Sequence, residues 1–254
     1  NGNTILNNLK LLKIDFGVHI NGYIIDSAFT LNMDKSDASN TLIASSELAV
    51  TEVIKNIGID MKLNELADIA HEIVSSYEIN DKPIKLVDNV YSHNIERWKI
   101  HGSKFIKPDY KQLSNSINDI IIDNEQYAIE FYTTNGSGKG HLVTIPDTFS
   151  HFNLPDHYST QKVPLFEIDR YNKIIDVVQR HIYTLPFCPN FLLNYNIKNG
   201  KKPLSSIRIT ESLNELHKLN IFNSYPPIIE NDPNSLVAQY EKTITITNGI
   251  VREY

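Results

Sequence analysis

Apolar residues between Leu11 and Met33 fall into two runs, Leu11 to Ile20 and Tyr23 to Met33, which meet at Asn21-Gly22. Asn-Gly between two such runs predicts a β-hairpin, because both central residues of a tight type I′ turn need positive φ. A two-residue turn pairs Ile20 with Tyr23, Gly17 with Asp26 and Asp15 with Ala28. In that register Asp15 and Asp26 leave the same face as diagonal neighbours, about 7–8 Å apart at Cα. Beyond the hairpin, Leu42, Ile43, Val50, Ile54 and Ile57 predict an amphipathic helix over Ser36 to Ile57, with Gly58 as a C-cap type of stop. A second helix is predicted from Asn64 to Tyr77. It carries Leu66, Ile69, Ala70, Ile73, Val74 and Tyr77 on one face, and Glu65 and Asp68 in the first turn, where the macrodipole favours acids.

From Ile84 to Ile106 the pattern is extended and irregular. Asn118 to Ile122 and Asp123-Asn124-Glu125 then lead into a strand, Gln126 to Thr133, that carries Glu130. The Asn135-Gly136-Ser137-Gly138-Lys139-Gly140 segment superficially suggests a phosphate cradle. Such a loop needs Gly-Lys-Ser/Thr at the start of a helix, and here strand-like His141 to Ile145 follows, so a hairpin loop is predicted. Leu165 to Asn220 is helical, with Ile168, Tyr171, Ile175, Val178 and Ile182 at intervals of three and four, and Leu213, Leu216 and Leu219 marking a shorter helix. Pro226-Pro227 and Asp232-Pro233 break the chain before a last alternating strand, Val237 to Thr247. Val237, Gln239, Glu241, Thr243 and Thr245 form its polar face.

Composition narrows the function classes. The chain has 254 residues, 41% hydrophobic and 21% charged, enough for a substantial core. A net charge of -6 with no dense Lys/Arg run argues against nucleic acid or anionic membrane as a partner. No apolar run approaches the roughly 20 residues that span a bilayer. One cysteine, Cys188, cannot form an internal disulfide and sits among Leu185, Pro186 and Phe187, which suits a packed thiol in a reducing compartment. A cytoplasmic location is therefore expected. The chain opens on Asn1 just before a strand run, with no initiator Met, and reads as a fragment of a longer protein.

Asp15 and Asp26 have two readings. Two carboxylates held together raise each other's pKa by repulsion, and a hard divalent cation removes that cost. Acids are also common on the solvent face of a hairpin. His93 and His101 lie in the extended segment, eight residues apart, where a solitary hydrogen-bonded histidine is the commoner case. Glu130 and Glu241, taken singly, are equally open to a solvated role.

The order of the segments is more specific than any one of them. Leu12-Lys13-Ile14-Asp15-Phe16-Gly17, Ile24-Ile25-Asp26-Ser27-Ala28-Phe29-Thr30, Ile100-His101-Gly102, Tyr127-Ala128-Ile129-Glu130 and Ala238-Gln239-Tyr240-Glu241-Lys242-Thr243 follow one another. In that order they resemble the methionine aminopeptidases. The long helical insert, Tyr225-Pro226-Pro227 and the tail ending in Tyr254 make the chain most similar to the type 2 branch.

The resemblance implies a mixed α/β (α+β) creatinase or pita-bread fold, a curved antiparallel sheet backed by helices. Residues 1–254 would form a single catalytic domain lacking its N-terminal part, with residues 165–220 as the type 2 helical insert. It implies two divalent ions (Mn, Fe, Co or Zn) on Asp15, Asp26, His93, Glu130 and Glu241, with Asp26 and Glu241 bridging. Such ions, about 3.5–4 Å apart, activate a bridging water. Glu130 would shuttle a proton and His101 would contact the peptide, with His151, Ile100 and Tyr225 lining the substrate pocket. The implied activity is removal of N-terminal methionine from nascent proteins and peptides with a small second residue. Further expectations are a monomer, and ribosome contact through the absent N-terminal residues. Alternatives on the same fold are a non-catalytic relative of the proliferation-associated 2G4 type, binding protein or RNA, and a proline-specific peptidase.

Two motifs depart from the family pattern. Around the metal histidine, Gly-His-Ser-Ile-Gly is replaced by Ser92-His93-Asn94-Ile95-Glu96, and Ile-His-Ala-Gly-Lys becomes Ile100-His101-Gly102-Ser103-Lys104. A further substrate-contacting histidine, the target of fumagillin-type inhibitors, lies upstream of the motif that Asn1 to Thr4 follows.

Overall fold

The computed structural model describes residues 8–112, 119–145, 148–157, 168–198 and 206–254. Asn1 to Thr4, Asn118 and the start of the helical insert at Leu165 lie outside the described residues. The chain divides into two compact units, one comprising residues 1–97, 101–141 and 230–254, the other residues 98–100 and 142–229.

In the first unit the hairpin pairs as its turn chemistry predicts. Strands β1 (Leu11–Ile20) and β2 (Tyr23–Asn32) are antiparallel, with Ile20 opposite Tyr23, Gly17 opposite Asp26 and Asp15 opposite Ala28. Asn21 (φ 51°) and Gly22 (φ 84°) supply the two positive φ values. The sheet continues from β2 to Val237–Thr247, then Gln126–Thr134, Ser92–Ile95 and Phe105–Ile106, all antiparallel. Ile250–Glu253 pairs with the Val237 strand and Lys85–Leu86 with the Gln126 strand.

Two helices back this sheet. Helix α1 (Asp37–Asn56) starts at Ser36, whose hydroxyl accepts the Ser39 N–H at 3.1 Å. Helix α2 (Leu63–Ser75) starts with the Glu65 carboxylate accepting the Lys62 N–H at 3.3 Å. Leu42, Val50, Val53, Leu63, Leu66 and Ala70 pack with Ile129, Phe131, Ala238 and Ile244 into one core. The remaining face of the Gln126 and Val237 strands is thus left for polar chemistry.

Two local expectations are corrected. Helix α1 does not end on Gly58. Ile57 already leaves the helix with φ −61° and ψ 128°, and it is buried, so core packing turns the chain one residue before the glycine. The Asn135–Gly140 segment does not join paired strands, since the ladder partners of Gln126–Thr134 are Val237–Thr247, Ser92–Ile95 and Lys85–Leu86. It is built instead around the buried Glu230 carboxylate, which accepts the Gly138 N–H at 2.9 Å and hydroxyls from Ser137 and Ser235. Gly136 is needed there because a Cβ would stand 2.6 Å from Glu230 Oε2. The polar face of Val237–Thr247 lies inside the fold, with Gln239, Glu241 and Thr243 all buried.

The second unit contains helices Ile168–His181, Pro189–Lys198 and Ser206–Lys218. Tyr171, Ile175, Val178, Leu213 and Leu216 are buried, as their spacing predicts, and Leu219 lies just past the last helix. Strands His151–Asn153 and Asn223–Tyr225 pair antiparallel beside Phe187.

Candidate metal centre

Cross-strand register accounts for the site. One row of the sheet reads Asp15, Ala28, Glu241, Glu130, each directly opposite the next. The neighbouring row contains Gly17 opposite Asp26, and Thr243, Ala128 and His93 in mutual register. Thr243 joins the two parts of that row, because its hydroxyl accepts the Asp26 N–H and donates to the Asp26 carbonyl, both at 2.7 Å. Rows two residues apart share a face, so all five candidate ligands project to the same side. Gly17, Ala28 and Ala128 occupy the intervening positions, and their small size leaves room above the sheet for the acids and the imidazole.

Ligand atoms of Asp26, His93 and Glu241 all lie within 4.8 Å of one another. Glu130 joins them, with Oε1 3.8 Å from His93 Nε2. Asp15 is exposed and is held at the edge by the Gln239 carboxamide, which donates to Oδ2 at 2.9 Å. His93 and Glu241 are each only 2% exposed. The His101 ring stands edge-on to His93, with centroids 4.4 Å apart and planes at 79°.

Neutral groups pin the backbones that carry these side chains. The Ser92 hydroxyl donates to the Glu130 carbonyl at 2.7 Å and accepts its N–H at 3.0 Å. The Ser27 hydroxyl donates to the Glu241 carbonyl at 3.3 Å. Thr30 does the same for Gln239, donating to its carbonyl and accepting its N–H, both at 2.8 Å. Ser27, Thr30, Ser92, Gln239 and Thr243 were not predicted as part of the site. Their only signal in the sequence is position, one to four residues from a candidate ligand on a strand.

Electrostatics give the cluster a strong bias. Burial, then repulsion from Asp15, raises the Asp26 carboxyl. Burial raises Glu130, reinforced by Asp26 and Asp15, and Glu241 is raised by burial and then by Glu130, Asp26 and Asp15. The opposing influences are neutral donors, the Ser27 N–H for Asp26, and Tyr132 and Gln239 for Glu130. Burial lowers the His101 imidazole, which favours its neutral form. Acids forced together in a dry site either hold protons or bind a cation. Four carboxylates with one imidazole fit a divalent ion such as Mn, Fe, Co or Zn.

The remaining predicted site residues, Ile100, His151 and Tyr225, belong to the second unit. The structure places His151 directly opposite Tyr225 in the short strand pair, with the Ser150 hydroxyl 2.9 Å from His151 Nδ1.

Comparison with known proteins identifies the family. The model of metallopeptidase family M24 matches residues 1–150. Methionine aminopeptidase 2 of Komagataella phaffii is 30% identical over 254 residues, covering 98% of this chain and 52% of that protein. Methionine aminopeptidase 2 of Verticillium alfalfae is 32% identical over 246 residues, covering 95% of this chain and 50% of that protein. The chain thus spans about half the length of the curated relatives it matches. Among solved structures, a thermophilic Arx1 superposes with a TM-score of 0.73 at 16% identity, covering 95% of this chain and 65% of the other. The methionine aminopeptidase of Thermotoga maritima superposes with a TM-score of 0.55 at 13% identity, covering 96% and 62%. These likenesses bear out the pita-bread fold, and with the family match over more than half of its residues, the chain belongs to metallopeptidase family M24.

Proposed function

We propose that the protein is a metal-dependent aminopeptidase that removes the N-terminal methionine from nascent proteins and peptides whose second residue is small. The observation that carries this reading is the convergence of Asp26, His93 and Glu241 within 4.8 Å, with Glu130 beside His93. Its support from relatives is that those at 30–32% identity over nearly the whole chain are named methionine aminopeptidase 2.

Asp15, Asp26, His93, Glu130 and Glu241 would hold two divalent ions, with Asp26 and Glu241 shared between them. When bound, such ions polarise a peptide carbonyl and lower the pKa of water. The protein's own groups do the rest. Glu130, raised by burial and by neighbouring acids, is suited to hold a proton and pass it to the leaving amide nitrogen. Neutral His101, packed against His93, offers a hydrogen bond to the peptide backbone. The family resemblance assigns His151, Ile100 and Tyr225 to contacts with the methionine side chain and its flanking backbone. Gln239 tethers the exposed Asp15 carboxylate at the edge of the cluster. A cytoplasmic, monomeric enzyme acting on chains as they leave the ribosome fits this activity.

The test is metal content together with methionine release from a Met-Ala peptide by the full-length protein. Stoichiometric Mn²⁺ or Co²⁺ binding with release of free methionine is expected. Bound metal without turnover would overturn the enzyme reading and favour a non-catalytic binding role for the same fold.

A further inference from the structure

One departure from each motif, Asn94 and Gly102, meet in space. Asn94 is buried and follows His93 on its strand, and Gly102 follows His101 in the adjoining loop. The Asn94 N–H donates to the Lys104 carbonyl at 3.0 Å, and the Gly102 N–H donates to the Asn94 carbonyl at 2.8 Å. The Lys104 N–H donates to Asn94 Oδ1 at 2.8 Å. One residue therefore holds the loop at two points and from both its main chain and its side chain. The far end is anchored separately, since the Lys104 ammonium donates to the Ile120 carbonyl at 2.8 Å and pairs with Glu125 at 2.6 Å.

This clamp leaves no room for a side chain at position 102. A Cβ there would lie 2.3 Å from Asn94 Oδ1 and 2.6 Å from its Cγ. Those are the end atoms of the Asn94 side chain, which is buried and whose Oδ1 holds the Lys104 N–H, so the amide can make room only by giving up that bond. The larger residue at 94 and the missing methyl at 102 thus compensate each other in volume. His101 is the residue immediately before the contact, and its ring rests on His93.

We propose that Asn94 is a positioning residue for His101, and that Asn94 and Gly102 form one interlocking pair whose disruption displaces the His101 ring while leaving every metal ligand in place. Its effect on turnover rests on the aminopeptidase reading above; its effect on His101 does not. A methyl at 102 pushes the loop off the Asn94 amide, and misplacement of a substrate-contacting group by as little as about 1 Å can cost up to about a hundredfold. Removing the Asn94 amide frees the Lys104 N–H and loosens the same loop without adding volume.

The experiment compares the full-length protein with Gly102→Ala, Asn94→Ser and the Asn94→Ser/Gly102→Ala double variant. Histidine side-chain ¹H–¹⁵N spectra are recorded on the metal-free proteins, with Mn²⁺ titrations and methionine-release kinetics alongside. Gly102→Ala is expected to move the His101 resonances and raise KM about tenfold or more, with Mn²⁺ affinity changed less than about threefold. Asn94→Ser is expected to broaden them. The double variant should return the resonances close to their original positions and recover most of the lost KM. If Gly102→Ala fails to fold, recovery of folding in the double variant supports the interlock, and Asn94→Ser still reports on His101. Unshifted His101 resonances in both single variants, or a double variant no better than Gly102→Ala, would overturn the proposal. Absence of turnover in every protein, the unsubstituted one included, would instead count against the aminopeptidase reading and leave the spectra to decide the interlock.

Discussion

Glu241 shows what the site asks of a single residue. It is buried beside Asp26 and directly opposite Glu130, and the fold favours its protonated form. The same holds for Asp26 and Glu130. Acids whose folded pKa lies above the unfolded value of about 4 bind more protons when folded, so the metal-free protein loses stability as pH rises above that value. Metal competes with those protons and reverses the trend. The expected outcome is a metal-free melting temperature lower at pH 8 than at pH 5, with Mn²⁺ raising it more at pH 8, measured by differential scanning fluorimetry. Glu241→Gln keeps the shape and removes the need to take up a proton on folding. It should raise the metal-free melting temperature at pH 8 by about 2–4 °C, equivalent to about 1 kcal/mol for a chain of this size, while abolishing tight Mn²⁺ binding by calorimetry.

At the scale of elements, the hairpin and the Glu230 loop differ in how local their causes are. Asn21-Gly22 sets the register of β1 and β2 through two adjacent residues, and the pairing of Asp15 with Ala28 follows by counting. That is why the hairpin could be read from the sequence with its register intact. The Asn135–Gly140 loop takes its shape from Glu230, more than ninety positions away in the chain for its bond to Gly138, and a local pattern cannot report such a partner. Likewise Gly58 has the residue type of a helix stop, but burial of Ile57 ends α1 first. Two substitutions separate these cases. Gly22→Val places a β-branched residue at φ 84° and should cost about 1–2 kcal/mol by urea unfolding, with weakened Mn²⁺ binding because Asp15 and Asp26 ride on the two strands. Glu230→Ala should cost about 1–3 kcal/mol by leaving donors of the loop unpaired, with Mn²⁺ affinity unchanged.

For the molecule as a whole, the ligand set was legible only as an ordered series of motifs. Singly, Glu130 and Glu241 could not be told from solvated acids, because a polar residue alternating on a strand looks the same whether its face meets water or a buried cluster. The sheet resolves that ambiguity by bringing strands far apart in sequence into two adjoining rows, and it buries the supposed polar face of Val237–Thr247. The supporting roles of Ser27, Ser92, Gln239 and Thr243 have no local signal for the same reason, since the groups they hold become neighbours only in the folded sheet. We propose that this constellation hydrolyses peptides from their N-terminus. Its most direct test is methionine release from a Met-Ala peptide by metal-loaded full-length protein and by its Glu241→Ala variant, with metal content measured in both. Turnover in the unsubstituted protein is expected to disappear with chelation and to fall at least about a hundredfold in Glu241→Ala, together with loss of bound metal. Full metal occupancy without methionine release, or turnover that survives Glu241→Ala, would contradict the proposal.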